Sequence, residues 1–323
     1  MNFHLEFTPR QFATTIRHQQ KLLMIGSCFT ENIGTKLKQH KFDLLENPNG
    51  ILFNPISIIK SVKSYISNKR YTEADLFYQN ECWNSWEHHS RFSHPVKDAC
   101  LLGINQSQQV AHDFIVAADW VFITVGSAFV YELYNHEVVA NCHKVPTDKF
   151  QKRLLGIEEV ITVFTAMVDE LSAVNPGVKI IFTISPVRHL RDGFIENNLS
   201  KSALIQAVHT LTGASENIFY FPAYELVIDD LRDYRFYAED MVHPNYAATN
   251  YVWEKFVNAC IDEPTQKLMK EINIINAARN HKPFHPGSEQ HKKFLQTNLE
   301  KINLLQKQYP YIDFREEIIY FQS

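Results

Sequence analysis

The run Leu22-Leu23-Met24-Ile25-Gly26 stops abruptly at Ser27, and a helix-like pattern over residues 30–39 follows almost at once. An unbroken apolar run closed by small turn residues describes a strand buried on both faces, as in parallel sheets. Parallel strands need crossover helices packed on both sides of the sheet. A chain that opens this way therefore folds as α/β, with Ser27 at the carboxyl end of its first strand. Ligands of open α/β sheets bind along that edge, where the first N–H groups of the next helix are free to meet negative charge. Ser27 is either a nucleophile held at the edge or the residue that caps the helix.

The later chain repeats the alternation. Residues 42–46, Trp120–Val125, 178–184 and 218–221 read as further strands, and 56–67, 99–118, 158–174, 200–211 and 224–231 read as helices. Five strands alternating with helices imply a mostly parallel sheet covered on both faces. Residues 71–99 break the pattern: they are rich in aromatics and histidines and read as a long loop, a lid or wall for a substrate pocket. Trp83, His88 and His89 are its candidate pocket residues. After a helix carrying Trp253, Phe256 and Val257 the composition changes, so 1–262 is read as one α/β domain and 263–323 as a helical extension. That extension holds helices at about 265–279 and 289–308. The narrow apolar stripe Leu295, Leu299, Ile302 and Leu305 either docks on the parent domain or recruits a partner.

A serine hydroxyl is a poor nucleophile unless a base lies within hydrogen-bond reach and an orienting group holds that base. Asp240 and His243 have a spacing that lets the carboxylate hold one ring nitrogen while the other faces a serine. Pro244 keeps His243 out of a helix, which places the pair on a turn before the last helix of the domain. The alternative is an ordinary capping or surface pair. Arg188 and His189, just past the fourth strand, either bind a substrate carboxylate or hydroxyl or make a surface ion pair with Asp192.

Gly26-Ser27-Cys28-Phe29 and Asp240-x-x-His243-Pro244 together resemble the GSCFA family, a branch of the SGNH or GDSL-type hydrolases. The resemblance spans about 20–260 and includes Asn47-Pro-Asn-Gly50, Thr124-Val-Gly-Ser-Ala128, Asn141-Cys-His-Lys144 and Ser185-Pro-Val-Arg-His189. It implies a three-layer α/β/α flavodoxin-like fold and a serine esterase or acyltransferase, with Ser27 as nucleophile, His243 as base and Asp240 as orienter. It also implies an oxyanion hole built from the backbone N–H groups of Ser27 and Gly50. Many relatives carry Gly-x-Asn after the third strand, where the asparagine is a third donor, and here Ala128 stands in its place. Ser127, Asn141 and His143 are the candidate substitutes, each also explicable as turn chemistry. The substrate class implied is a small-molecule or carbohydrate acyl ester, and this chemistry needs no cofactor.

Composition narrows the field. A net charge of -4 argues against a nucleic-acid partner held by phosphate contacts. No run is long enough to span a bilayer and none near the start resembles a signal peptide, so the expected location is cytoplasmic. Five scattered cysteines at 28, 82, 100, 142 and 260 include no C-x-x-C pair. Cys28 is a rival nucleophile or a small buried hydrophobe. Two other functions stand beside the esterase: a binding module that has lost turnover, motivated by Ala128, and a metal-dependent hydrolase built on His88, His89, His94 and His143. Adjacent histidines rarely share one metal, and no His-Glu-x-x-His spacing occurs, so no metal site is expected.

Overall fold

The computed structural model describes residues 4–322. Strand β1 (Leu22–Gly26) leads into α1 (Cys28–Gln39), then β2 (Leu44–Glu46) and α2 (Pro55–Ser67). A hairpin of β3 (Phe77–Gln79) and β4 (Cys82–Asn84) precedes α3 (Lys97–Ile115) and β5 (Trp120–Val125). Next come β6 (Phe129–Glu132), β7 (Val138–Val139) and β8 (Gln151–Leu154), followed by α4 (Ile157–Val174), β9 (Lys179–Ile184), α5 (Phe194–Ala214) and β10 (Ile218–Tyr220). A single helical turn, α6 (Ala223–Glu225), runs into a π-helical segment at Leu226–Leu231, and α7 (Tyr246–Cys260) closes the sheet region. The chain ends in α8 (Glu263–Asn280), α9 (Glu289–Gln308) and α10 (Arg315–Gln322).

The central sheet has the order β2-β1-β5-β9-β10, and every neighbouring pair is parallel. This is the expected five-stranded α/β sheet. Numbered along the sheet's own strands the order is 2-1-3-4-5, the flavodoxin-like arrangement, whose direction of winding reverses between β1 and β5. Alternate residues of each strand serve opposite faces. Leu23, Ile25, Val121, Ile123, Ile180 and Phe182 join α2, α3, α4 and α5 in one core. Leu22, Met24, Trp120, Phe122 and Ile181 join α1 and α7 in the other. The result is three layers, with the β1–β5 crevice at the carboxyl edge of the middle one.

Three departures have physical causes. Residues 71–99 are not a loose loop: β3 and β4 pair in register Phe77 to Asn84, Trp86 stacks on Phe77 at 3.7 Å, and His88 is 1% exposed. The antiparallel sheet β7-β6-β8 was not foreseen. Its outer strand Gln151–Leu154 is exposed at every residue, so it carries no apolar alternation to read. The stripe on α9 neither docks on the parent domain nor stands free, because Leu295, Leu299, Ile302 and Leu305 pack against α8 and the unforeseen α10. Among the described residues no helix is long and apolar enough to cross a membrane.

Candidate active site

Gly26 opens the site. Its φ is +143° and a Cβ there would lie 2.2 Å from Thr124 O, so only glycine fits where β1 runs beside β5. Its N–H donates to Asn47 Oδ1 at 2.8 Å, which ties the end of β1 to the loop after β2. Ser27 follows as the N-cap of α1, its Oγ accepting from Phe29 N–H at 3.3 Å, and it is fully buried. Ser27 thus stands at the sheet edge and caps α1 at once.

The two expected oxyanion donors are engaged in this conformation. Ser27 N–H donates to Thr124 O at 3.2 Å, and Gly50 N–H closes a turn onto Asn47 O at 2.7 Å. Both N–H groups are spent on backbone acceptors. Gly50 is glycine for shape: its φ is +83°, and a Cβ would sit 2.1 Å from His89 Cβ. Cys28 N–H is the first of α1, a position with no intrahelical acceptor. Burial, with the Glu31 carboxylate nearby, pushes the Cys28 thiol up, which keeps it protonated and weakens it as a rival nucleophile.

Asp240 and His243 come together as a dyad. His243 Nδ1 lies 2.6 Å from Asp240 Oδ2, while Asp240 Oδ1 accepts the N–H groups of Val242 at 2.9 Å and His243 at 3.0 Å. Those backbone bonds first, then His243, hold the Asp240 carboxyl down at about 2, so it stays ionised through the neutral range. The loop turns back on itself through Ala238 N–H to His243 O at 2.8 Å and enters α7 at Asn245, whose side chain caps the helix. Arg188 N–H reaches Val242 O at 3.4 Å, so the loop lies against the chain leaving β9. The dyad is half exposed, and no hydrogen bond joins it to Ser27.

Several candidate side chains are engaged elsewhere. Ser127 Oγ accepts from Phe129 N–H, at the start of β6, at 3.0 Å and lies 3.3 Å from Ser200 Oγ. Asn141 Oδ1 accepts from His143 N–H at 2.8 Å, and His143, left-handed at φ 48°, sets Nε2 2.9 Å from Ser85 O beside Phe77 and Trp86. Neither is an oxyanion donor as placed; both build the turn that carries them. His88 is buried between Tyr71 and Phe92, and burial draws it down to about 3. Trp83, partly buried, packs against a satellite core of Tyr71, Cys100 and Ile104. His89 meets the edge against Gly50, with its N–H on Asn49 O at 2.8 Å; Arg91 Nη2 donates to Asn47 O, and Glu87 O accepts from Asn49 Nδ2 at 3.3 Å, so all three fasten the segment to the loop after β2. Among the described residues no three His, Cys, Asp or Glu side chains gather as a metal site.

Arg188 and His189 do stand at the edge. Asp192, the rival partner, is taken by Lys152. His189 sets Nε2 3.1 Å from where a Cβ of Gly126 would lie, and it is lowered to about 4, chiefly by burial and then by Lys201 and His243. Lys201 was missed by the sequence reading. It is 1% exposed and donates to Gly126 O at 2.7 Å and Ser185 O at 2.6 Å, bridging the ends of β5 and β9. The signal was present: Lys201, Leu204, Val208 and Leu211 share one helical face, and the three leucine and valine partners are core.

The GSCFA family model matches residues 21–256, and the model of the GSCFA domain protein C-terminal domain matches residues 272–323. No curated protein matches. Among solved structures, a carbohydrate esterase family 3 from Talaromyces cellulolyticus is 12% identical at a TM-score of 0.36, covering 79% of this chain and 99% of its own. A Clostridium thermocellum family 3 carbohydrate esterase is 8% identical at 0.37, covering 78% and 98%. An acetyl xylan esterase from the rumen bacterium Butyrivibrio proteoclasticus is 10% identical at 0.38, covering 80% and 66%. Likenesses this weak bear on neither substrate nor chemistry.

Proposed function

The chain belongs to the GSCFA family, and from that premise we propose that it is a serine esterase or acyltransferase acting on an acyl ester, with Ser27, His243 and Asp240 as its triad. The observation that carries the reading is the 2.6 Å Asp240–His243 pair on a loop fastened to the same carboxyl edge that presents Ser27. Asp240, ionised, fixes the Nδ1–H tautomer of His243 and leaves Nε2 as the base.

In the proposed step His243 Nε2 takes the Ser27 hydroxyl proton as Oγ bonds to the acyl carbon. The ester C–O bond then breaks, and the alcohol leaves with the proton from His243. Water, or an acceptor hydroxyl in the transfer case, repeats the sequence on acyl-Ser27 and restores the serine. Turnover requires Ser27 Oγ and His243 to approach when substrate fills the crevice, and Cys28 N–H is the helix-terminal donor best placed to meet the oxyanion. The acyl ester is a small molecule or a carbohydrate.

A second reading, an SGNH-fold binding module without turnover, is favoured by the enclosed Ser27 and the engaged N–H groups of Ser27 and Gly50. A fluorophosphonate probe separates the two. Labelling is expected in the wild type and in Cys28→Ala, and is expected to vanish in Ser27→Ala and fall at least about a hundredfold in rate in His243→Ala. A folded wild type that takes no label supports the binding module instead.

A further inference from the structure

Arg188 and His189 leave two buried nitrogens without a hydrogen-bond partner just past the carboxyl end of β9: Arg188 Nη1 and His189 Nε2. Buried polar nitrogens are seldom left unpaired in a folded protein, and an orphan at the ligand-binding edge of an α/β sheet marks a place where a bound group completes the bonding. Arg188 makes no ion pair among the described residues. Its guanidinium lies over the rings of Tyr237 at 4.3 Å and Tyr234 at 5.1 Å, cation–π contacts that hold the head group, and the Tyr237 hydroxyl beside it is likewise buried without a hydrogen-bond partner. The neighbouring carboxylates are committed: Asp192 to Lys152, Asp240 to His243, and Asp233 to Arg235.

The position of this pair gives it a direction. Arg188 is bonded through its backbone to the dyad loop, and His189 leans on Gly126 and Phe53, one strand from Ser27. Lys201 adds a third basic side chain beneath the same edge, again with no carboxylate. A guanidinium held by aromatic rings with Nη1 unpartnered suits a planar anion, above all a carboxylate, which an arginine fork binds by parallel N–H bonds.

We propose that Arg188, with His189 beside it, recognises a carboxylate on the substrate, so that the ester cleaved carries a negative charge a short distance from the scissile bond. The proposal rests on the catalytic reading of Ser27 and adds the substrate class to it. The carboxylate sits either on the acyl part, as in a dicarboxylic half-ester, or on the alcohol part, as in an acylated sugar acid.

The test compares mono-4-nitrophenyl succinate with 4-nitrophenyl acetate, and acetylated glucuronic acid with acetylated glucose. It uses wild type, Arg188→Met and Arg188→Lys, each checked for folding by circular dichroism. The wild type is expected to favour one carboxylated member by at least about tenfold in kcat/KM, and which pair shows it tells the side of the ester. Arg188→Met should bring that ratio to about one, and Arg188→Lys should keep part of it; a merely structural arginine would lower both members and preserve the ratio. Turnover of neutral esters with no preference, or a preference that survives Arg188→Met, overturns the inference and leaves the esterase standing. Succinate binding by Ser27→Ala, measured by calorimetry, covers the other case. If no ester is cleaved but succinate binds and the Arg188→Met/Ser27→Ala protein does not bind it, the catalytic reading falls and the carboxylate site stands. If neither cleavage nor succinate binding is seen, both fall.

Discussion

An ammonium enclosed with two carbonyl oxygens and no carboxylate has reason to give up its proton, and burial draws Lys201 down to about 7. The unfolded chain holds that proton to about 10.5, so between the two values the unfolded state binds more protons and stability rises with pH. From pH 7 to 9 the rise expected from this one group is about 2 kcal/mol. Urea midpoints measured across that interval should climb in the wild type and stay flat in Lys201→Met; equal slopes would show that Lys201 is not the group responsible. Legibility in the sequence divides along the same line. Gly26, Ser27 and the Asp240–His243 spacing follow from local chemistry and read directly from the chain. Ser127, Asn141 and His143 could be named as polar residues near an edge, but whether each faces a crevice or its own turn depends on hydrogen bonds such as Asn141 Oδ1 to His143 N–H. Lys201 shares an apolar helical face with Leu204, Val208 and Leu211, which marks it as buried, but its acceptors Gly126 O and Ser185 O are set by the docking of α5.

Elements with a strong period were legible, and those whose identity comes from a neighbour were not. Strands β1, β5 and β9 are continuous apolar runs because helices cover them on both sides, whereas β8 owes its form to pairing with β6. Helix α10 is short, and its place is set by contacts rather than propensity. Glu317 on α10 is 2% exposed and accepts from Lys41 Nζ, just past α1, at 2.7 Å, and from Arg279 Nη1 on α8 at 3.1 Å. Asn276 of α8 donates to Gln39 O at 2.7 Å, a second tie to the end of α1. Lys41→Met leaves a buried carboxylate with one half-exposed partner, and the expected loss is about 1.5–3 kcal/mol. Adding Glu317→Gln should recover part of it, because the uncompensated charge is gone. Chemical denaturation of the two variants checks this, and a double variant no more stable than the single one would assign the loss to packing against Phe314 instead.

At the scale of the whole molecule the histidines set how the protein meets acid. Burial lowers His18, His40, His143 and His89, and takes His88 to about 3 and His189 to about 4. These groups belong to different parts of the structure: His18 contacts Phe42 near the start of the sheet, His88 lies in the β3–β4 region, and His189 stands at the carboxyl edge of the sheet. Each binds its proton less readily when folded than when unfolded, and the unfolded histidine takes up a proton once the pH falls below about 6.5. Stability from them is therefore complete above that value and is lost as the pH falls from 6.5 towards their folded values. His88 and His189 contribute about 2 kcal/mol each between pH 7 and 5, on the order of 4 kcal/mol together. That is a large share of the 5–15 kcal/mol that holds an ordinary domain folded. Urea midpoints should drop steeply from pH 7 to 5 in the wild type. In His88→Gln the drop should be smaller by about 2 kcal/mol, since glutamine keeps a polar contact for Ser85 without a site to protonate. A flat wild-type profile over that interval would mean that the buried histidines find proton acceptors when charged, and the acid sensitivity assigned to them would be withdrawn.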